Sequence, residues 1–551
     1  MAAAPATGGS SGLLSASAFM AAGTVVSRLT GFVRTALIAA AIGKALNADL
    51  FNNANTIPNS LYILVAGGVF NVVLVPQLIR SMRNDSDGGQ AYGNRVLTLG
   101  LLVLVGATAV LMALVPLLMH VAYQDNLFNP HLTVPRESAQ RLMLYCLPQV
   151  FFYGIFVLLG QILNARQRFG PMMWAPIVNN VISCTVLAFY IGAYGTSNGA
   201  GGFGTGEELL LGIGSTVGIA AQTAVLVPYL RVAGFRPRLR FDFRGVGLGH
   251  TLRLGAWTVG FVISTQVAFF VVNRIASGSS AAAALGHGQA SGSTVYQWAF
   301  LITQVPHGII TVSIVTATMP MLSRLAAEQR IGAMRREVVS TLRTVLAAVT
   351  PTAVAVACLG QPIATVLFSH GGAAGHTSVI GAATIAFAPG LLLFTVYYLL
   401  LRAFYALEDT RTPFLIQVVL SLVNVVAAVI LTTGSPIDQV ATWLAIAYGI
   451  AYLVGVTIAT TALSRRLGTL VDAEFVRFVV RLALASAVAA AVMLLAAHVL
   501  EDAGFSAARV LSGAVVVVAA GLAGLLAYLA AARAMRMDEL GSLVRAVSRR
   551  G

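Results

Sequence analysis

Two arginines six residues apart, Arg28 and Arg34, stand inside an apolar run, LLSASAFMAAGTVVSRLTGFVRTALIAAAIG over residues 13–43. That run is long enough to cross a bilayer. An arginine at membrane depth costs about 2.5–3.5 kcal/mol, so the pair costs roughly 5–7 kcal/mol unless it faces water or an anion. On an ideal helix the two lie about 9 Å apart along the axis and about 120° apart around it. They share no face of a straight helix, so a bend near Gly31, or a cavity wide enough to wet both faces, must reconcile them. Gly23, Gly31 and Gly43 let the backbone bend or approach a ligand closely. In the competing reading both arginines satisfy backbone carbonyls or pair with a carboxylate. Few carboxylates occur at membrane depth in this chain, which favours an anion held inside the membrane.

The elements that would carry such a site follow from composition. The 551 residues are 58% hydrophobic and 10% charged, with mean hydropathy +0.84, whereas soluble domains carry about 25% charged residues. The reading is an all-α polytopic membrane protein with fourteen transmembrane helices. Their centres fall near residues 28, 67, 107, 151, 183, 219, 263, 307, 353, 391, 423, 451, 488 and 520. Each apolar span is about 20 residues or more, enough for about 30 Å of hydrocarbon. No cleaved signal peptide and no appended soluble domain are expected. Lys44 is the only lysine. With the heavy Ala and Gly usage this is the composition of a high-GC genome, such as an actinobacterium's. A nucleotide-binding P-loop is excluded, because Gly43-Lys44 is followed by Ala45 and preceded by Ile38 where the first glycine belongs. The three cysteines lie singly in apolar segments, read as small buried hydrophobes, and no zinc spacing or disulfide framework is visible.

Charge placement orients the spans. Alternate loops and the C-terminal tail hold 27 of the arginines, and the opposite loops hold only Lys44, Arg136, Arg141, Arg274 and Arg509. The bias puts both termini and the even-numbered loops in the cytoplasm. It also accounts for the net charge of +15 without nucleic acid, for which no basic soluble face exists.

A weak internal repeat adds symmetry. IPNSLYILVAGGVFNVVLVPQL (57–78) resembles VPHGIITVSIVTATMPML (305–322), and LNARQRFGPMMWAPIVNNV (163–181) resembles ALEDTRTPFLIQVVLSLVNVV (406–426), at nearly the same offset. Spans 1–6 thus repeat as spans 7–12 in the same orientation, which places a substrate site at their interface. The domain reading is a flexible N-terminus (1–12), an N-lobe (13–231), a C-lobe (232–466), spans 13 and 14 (467–533) and a basic tail (534–551). In the tail Leu540, Leu543, Val544 and Val547 recur at helical spacing among arginines, as in a helix lying on anionic lipid. A solvated basic end is the alternative.

VSRLTGFVRTALIAAAIG, NADLF and TIPNSLYILVAGGVFNVVLVPQL together resemble the opening of the MurJ (MviN) family, lipid II flippases of the multidrug/oligosaccharidyl-lipid/polysaccharide exporter superfamily. GQILNARQRFGPMMWAPIVNN and FYALEDTRTP resemble two of its cytoplasmic junctions, and the likeness covers almost the whole chain. The resemblance implies a V-shaped pair of six-helix lobes around a cavity, with the last two helices forming a groove for a polyprenyl tail. It implies movement of lipid II, an undecaprenyl-pyrophosphate-linked disaccharide-peptide, from the inner to the outer leaflet of the bacterial plasma membrane. Arg28 and Arg34 match two cavity arginines, Asp49 an acidic residue after span 1, and Asn59 the asparagine of the P-N pair opening span 2. The chain departs from the family at Tyr62, where a basic residue is common, at Gly67, where an acidic one is, and at Leu301, where many members carry arginine. Arg274 is the expected replacement for the lost positive charge.

A lipid-linked diphosphate suits arginine, whose planar fork donates in pairs and stays charged. The expected substrate-binding residues are therefore Arg28, Arg34, Asp49, Asn59 and Arg274, although Asp49 also reads as an ordinary interfacial residue. Asn52, Asn53 and Asn55 bind a sugar-peptide headgroup or cap helix ends. Gly31, Pro58 and Pro306 are the expected hinge or gate positions, with prolines in a static bundle as the alternative. His307 reads as a satisfied core histidine, and His370 and His376 as solvated loop residues. Glu408 and Asp409 are expected to pair with Arg402 or Arg411. The small-residue stretch 276–293 reads as either a mobile external gate or a plain linker. No cofactor and no metal site are expected, and without a nucleotide motif the energy must come from a coupling cation, the membrane potential or consumption of product. Expected partners are lipid II, membrane lipids and proteins of cell-wall synthesis or division. Competing readings are a flippase for another polyprenyl-linked saccharide, a cation-coupled drug exporter, a membrane glycosyl transferase and a non-transporting scaffold paralogue. The scattered outward acids Asp125, Glu137, Glu207, Glu208, Asp438, Glu501 and Asp502 offer no acid–base cluster for the enzyme reading.

Overall fold

Apolar runs of this length leave the backbone one way to satisfy its polar groups in lipid, the α-helix. A computed structural model of the chain describes residues 9–64, 78, 81–82, 85, 87–242, 248–537 and 539. No strand occurs among them, and 13 helical stretches are long and apolar enough to cross a membrane. The core of the expected second span (residues 65–77, with Gly67) and the tail residues Leu540, Leu543, Val544 and Val547 lie outside the described residues. The chain divides into two compact units, Met1–Gln266 and Val267–Gly551.

The first unit comprises α1 (Gly9–Ile42), α2 (Leu46–Leu64), α3 (Gln90–Ala113), α4 (Val115–Ala122), α5 (Thr133–Cys146), α6 (Gln149–Ala165), α7 (Gly170–Tyr194), α8 (Thr205–Ala224), α9 (Leu226–Val232) and the start of α10 (Leu248–Ala284). Leu97 and Leu104 of α3, Phe156, Leu158 and Leu163 of α6, Leu230 of α9 and Phe235 form one buried core. Leu102, Val103, Val105 and Val110 of α3 stay exposed, as suits a face whose solvent is lipid. The arginine-rich segment after α9 is not a free loop. Gln90, Asn94 and Thr98, one turn apart on α3, bind it at alternate residues. Gln90 Nε2 donates to the Gly234 carbonyl, Asn94 Oδ1 accepts from Arg238 N at 2.8 Å, and Thr98 Oγ1 accepts from Arg240 N at 2.8 Å.

The α1–α2 turn is pinned in the same way. Gly43 adopts φ +69°, which its missing Cβ permits. Asn198 Oδ1 accepts from the Lys44 and Ala45 N–H groups at 2.8 and 2.9 Å. Asn47 donates to the Gly202 carbonyl at 2.7 Å and accepts from Gly202 N at 2.8 Å.

The second unit holds the rest of α10, then α11 (Ser293–Pro306), α12 (Val312–Ala327), α13 (Ile331–Phe368), α14 (Ser378–Ala406), α15 (Arg411–Thr432), α16 (Val440–Leu467), α17 (Ala473–Asp502) and α18 (Val510–Ala534). Pro306 ends α11 and is followed by a π-helical turn, His307–Thr311, the kind of irregularity a proline leaves when it removes a backbone bond. α13 kinks at Leu359, between Pro351 and Pro362. Small residues let α13, α17 and α18 approach closely: Ala347, Ala485, Ala489 and Ala532 are fully buried together, and Tyr528 donates its hydroxyl to the Ala347 carbonyl at 2.8 Å.

The stretch 276–293 is helical over its first half and turns at its second. α10 continues through Ala284, and apart from an exposed turn at Gly286–Gln289 its small residues pack inward. Ser279 Oγ donates to the Ile437 carbonyl at 2.6 Å and accepts from Ser291 N at 2.9 Å, and Ser291 Oγ accepts from Ala441 N at 3.3 Å. Small size here permits close backbone packing.

Asp409 has a partner that the sequence reading did not name. Its carboxylate pairs with Arg466 at 2.6 Å and accepts from Thr412 Oγ1 at 2.6 Å and Thr412 N at 3.0 Å. Arg402 instead donates to the Tyr398 hydroxyl at 2.7 Å and lies over its ring. Burial by itself would raise the Asp409 pKa, but the Thr412 and Arg466 contacts outweigh it and hold the carboxyl below its ordinary value. A carboxyl whose folded pKa is depressed stabilises the fold above its unfolded pKa and loses that contribution as pH falls through the folded value. Asp409→Asn should therefore lower stability at pH 7 by about 1 kcal/mol. Thermal unfolding in detergent should show the gap to wild type closing as pH drops below about 4, the ordinary carboxylate range. A gap independent of pH would refute the assignment.

Candidate functional site

α1 must be held against its neighbours despite carrying two cations, and α7 does this. Asn180 Nδ2 donates to the Ser27 carbonyl and to Thr30 Oγ1, both at 3.0 Å. Gly23 lies so close to the Trp174 indole that an added Cβ would sit 2.6 Å from its nitrogen, and at Gly31 the Asn180 amide would be 3.5 Å away. α1 runs as one helix through Gly31, and the glycine that close contact with α7 requires is Gly23. Asn180 and Trp174 were not among the expected site residues. Their signal in sequence was the polar pair Asn179-Asn180 within an apolar span, WAPIVNNVISC.

The arginines are left without counter-ions. Neither Arg28 nor Arg34 forms an ion pair with a described residue. Arg28 is exposed; Arg34 is half-buried, and its Nε is enclosed without a hydrogen-bond partner among the described residues. Arg34 lies within electrostatic reach of Tyr153 on α6 and Cys184 on α7. Tyr153 in turn packs on Tyr62 of α2 with ring centroids 4.9 Å apart, so an aromatic pair stands where the family often has a cation. A guanidinium at membrane depth with no protein anion requires water or an external anion.

The remaining expected residues are dispersed. Asp49 is fully buried beside Tyr123, so its carboxylate is closed to a headgroup in this structure. Asn59 is exposed on α2, and the adjacent Pro58 is buried within an unbroken helix. No hydrogen bond or ion pair among the described residues joins Arg28, Arg34 or Asn59 to another of these candidates. Arg274, on α10 in the second unit, is half-buried and engaged, and its carbonyl accepts from Ser277 Oγ at 2.8 Å. His307 is buried, with Nδ1 3.1 Å from Thr395 Oγ1 and its ring against Phe394 and Tyr398, the satisfied core histidine expected. No group of three or more metal-ligating side chains occurs among the described residues.

The second unit contains an apolar groove of about 620 Å³ between α13, α14 and α17, lined by Leu346, Val354, Cys358, Leu392, Val479 and Leu482 among others.

The chain is 28% identical over 418 residues to the probable lipid II flippase MurJ of Rhizobium tropici, covering 74% of this chain and 73% of that one. It is 26% identical over 421 residues to the probable lipid II flippase MurJ of Haemophilus influenzae, covering 73% and 77%. Its fold is similar to a solved lipid II flippase MurJ in an inward closed conformation, with TM-score 0.73 and 19% identity over 95% of this chain and 99% of that chain. It is also similar in fold to multidrug resistance transporters of the MATE family, described as members of the MOP superfamily. The inward-facing form gives TM-score 0.60 at 16% identity, over 80% of this chain and 95% of that one. The outward-facing form gives TM-score 0.54 at 16% identity, over 82% and 94%. The sequence model of the lipid II flippase MurJ family matches residues 38–531, nearly the whole membrane region just described, and the chain belongs to that family.

Proposed function

We propose that this chain carries lipid II from the inner to the outer leaflet of the bacterial plasma membrane by alternating access, holding the substrate's diphosphate on Arg28 and Arg34. The observation that carries this reading is Arg34: an enclosed guanidinium nitrogen with no protein acceptor, on a helix whose two cations have no counter-ion among the described residues. A diphosphate supplies both the charge and the acceptor oxygens such a group lacks. The pinning of α1 by Asn180 fixes where the arginines stand, and the π-helical turn after Pro306 gives the second unit a deformable point for a change of access. Solved proteins of similar fold in inward-facing and outward-facing forms support the alternation.

The protein is a transporter and catalyses no bond chemistry. On this reading the driving force is a coupling cation, the membrane potential or consumption of the product. The test is a leaflet-exposure assay for lipid II in cells depleted of their own flippase. Expression of this chain should restore lipid II accessible to an external probe and restore growth. Growth without restored exposure would favour a scaffold, and exposure of a different polyprenyl-linked saccharide would reassign the substrate.

A further inference from the structure

One face of α2 carries a stripe of side chains that a diphosphate alone does not explain. Asn52, Asn55, Asn59 and Tyr62 follow one another at intervals of three or four residues, so they share one helix face. Asn52, Asn55 and Tyr62 are partly exposed and Asn59 is exposed, whereas Asn53, Thr56, Pro58 and Ser60 between them are buried. Polar side chains on the open face of a membrane span look onto water or protein and not onto lipid. Asn52 Nδ2 is enclosed with no hydrogen-bond partner among the described residues.

α6 runs beside this face. Gln149 Nε2 donates to Asn55 Oδ1 at 3.0 Å. One turn further along α6, the Tyr153 ring packs on Tyr62 with centroids 4.9 Å apart and planes tilted by 33°. Both rings are partly exposed, and neither hydroxyl bonds to a described residue. Tyr153 also lies within electrostatic reach of Arg34. A pair of aromatic rings bordered by amides thus stands beside the guanidinium that has no protein anion.

Rings, amides and a cation together match a sugar diphosphate. A pyranose offers hydroxyls at its edge, which pair with amides, and a C–H face, which packs on the negative face of an aromatic ring. In a lipid-linked saccharide diphosphate, the group next to the diphosphate is a sugar on one side and the hydrocarbon tail on the other. The stripe decides between them. A hydrocarbon would leave the Asn52 and Asn59 amides dry and unpaired, whereas a sugar can pair with both.

We propose that Tyr62 and Tyr153 form the stacking platform for the sugar joined to the diphosphate. The inference rests on the reading of Arg34 as the diphosphate ligand and adds a contact that tells the loaded lipid from a bare polyprenyl diphosphate. Such a contact keeps the unloaded carrier from competing for the arginines. It also gives Tyr62, where the family often has a cation, a task that needs a ring face in place of a charge.

Native mass spectrometry of the purified full-length chain in detergent tests this with two probes, lipid II and undecaprenyl diphosphate. They share tail and diphosphate and differ in the disaccharide-peptide. Wild type should retain lipid II about tenfold better. Tyr62→Leu/Tyr153→Leu should abolish that preference by weakening lipid II alone, with undecaprenyl diphosphate held as in wild type. Tyr62→Phe/Tyr153→Phe should keep most of the preference, since stacking needs the ring and not the hydroxyl. Monodisperse elution and helical content check folding. If the double leucine variant fails them, Tyr62→Leu alone carries the same test with a smaller loss. A leucine variant that keeps the wild-type preference, a phenylalanine variant that loses it, or equal weakening of both probes overturns the proposal. Equal retention of the two probes by wild type overturns it while leaving the diphosphate reading standing, and retention of neither overturns both.

Discussion

Arg34→Ala will reduce lipid II exposure at the outer leaflet by about ten- to a hundredfold, the worth of one charge-assisted contact to a diphosphate at roughly 1.5–3 kcal/mol. Arg28→Ala will act in the same direction, and the double variant will sit at the assay background. Arg34→Lys will recover only part of the loss, because an ammonium keeps the charge but not the planar fork. The stability readout separates this from a structural role. Arg34 has no counter-ion among the described residues, and its Nε has no acceptor there. Replacing it by alanine removes an uncompensated charge whose insertion costs about 2.5–3.5 kcal/mol. The variant's melting temperature in detergent should therefore be unchanged or higher while transport falls. A variant that both melts early and transports poorly would make Arg34 a structural group, and full transport by Arg28→Ala/Arg34→Ala would end the diphosphate reading. Arg274→Ala belongs in the same series: a defect comparable to that of Arg28→Ala is expected if it supplies the charge missing at Leu301.

The largest stability effect is expected far from that site. Glu208 on α8 is fully buried, and Arg141 on α5 grips it with two hydrogen bonds, Nε to Oε2 at 2.6 Å and Nη2 to Oε1 at 2.9 Å. Arg141→Ala strands an ionised carboxylate in a closed interior and should cost about 3–5 kcal/mol. Glu208→Gln should cost less. It leaves no buried charge, and Arg141, with its side chain 38% exposed, can turn to Glu137, already 3.5 Å away. The asymmetry is the signature, and Arg141→Ala/Glu208→Gln should regain most of the stability lost in Arg141→Ala. Thermal unfolding of the four proteins checks it. An Arg141→Ala protein within about 0.5 kcal/mol of wild type, or one more stable than Glu208→Gln, would refute the buried-pair account.

These two predictions rest on different kinds of legibility. Arg28 and Arg34 stand out in the sequence because a membrane span is apolar by necessity, so a charge within it is conspicuous before any fold is known. Arg141 and Glu208 do not. Each reads as an ordinary polar residue near the end of a span, and they are 67 residues apart. Only the packing of α5 against α8 makes them partners. Asp409 shows the same thing in miniature: Arg402 and Arg411 are its neighbours along the chain, yet the distant Arg466 on α16 pairs with it at 2.6 Å. The serines of 276–293 show the converse, since small residues look alike in a loose linker and in a tight seam.

Composition, hydropathy and the alternation of arginine-rich loops settle the class of this protein by themselves, because membrane insertion is decided segment by segment from local transfer energies. They also single out two cations inside an apolar span. Which helix pins α1, which cation answers which buried carboxylate, and whether a glycine bends a helix or lets two helices touch are decided only when the spans are packed. Those interactions join residues distant along the chain, and their energies depend on burial and geometry, which a linear sequence does not contain.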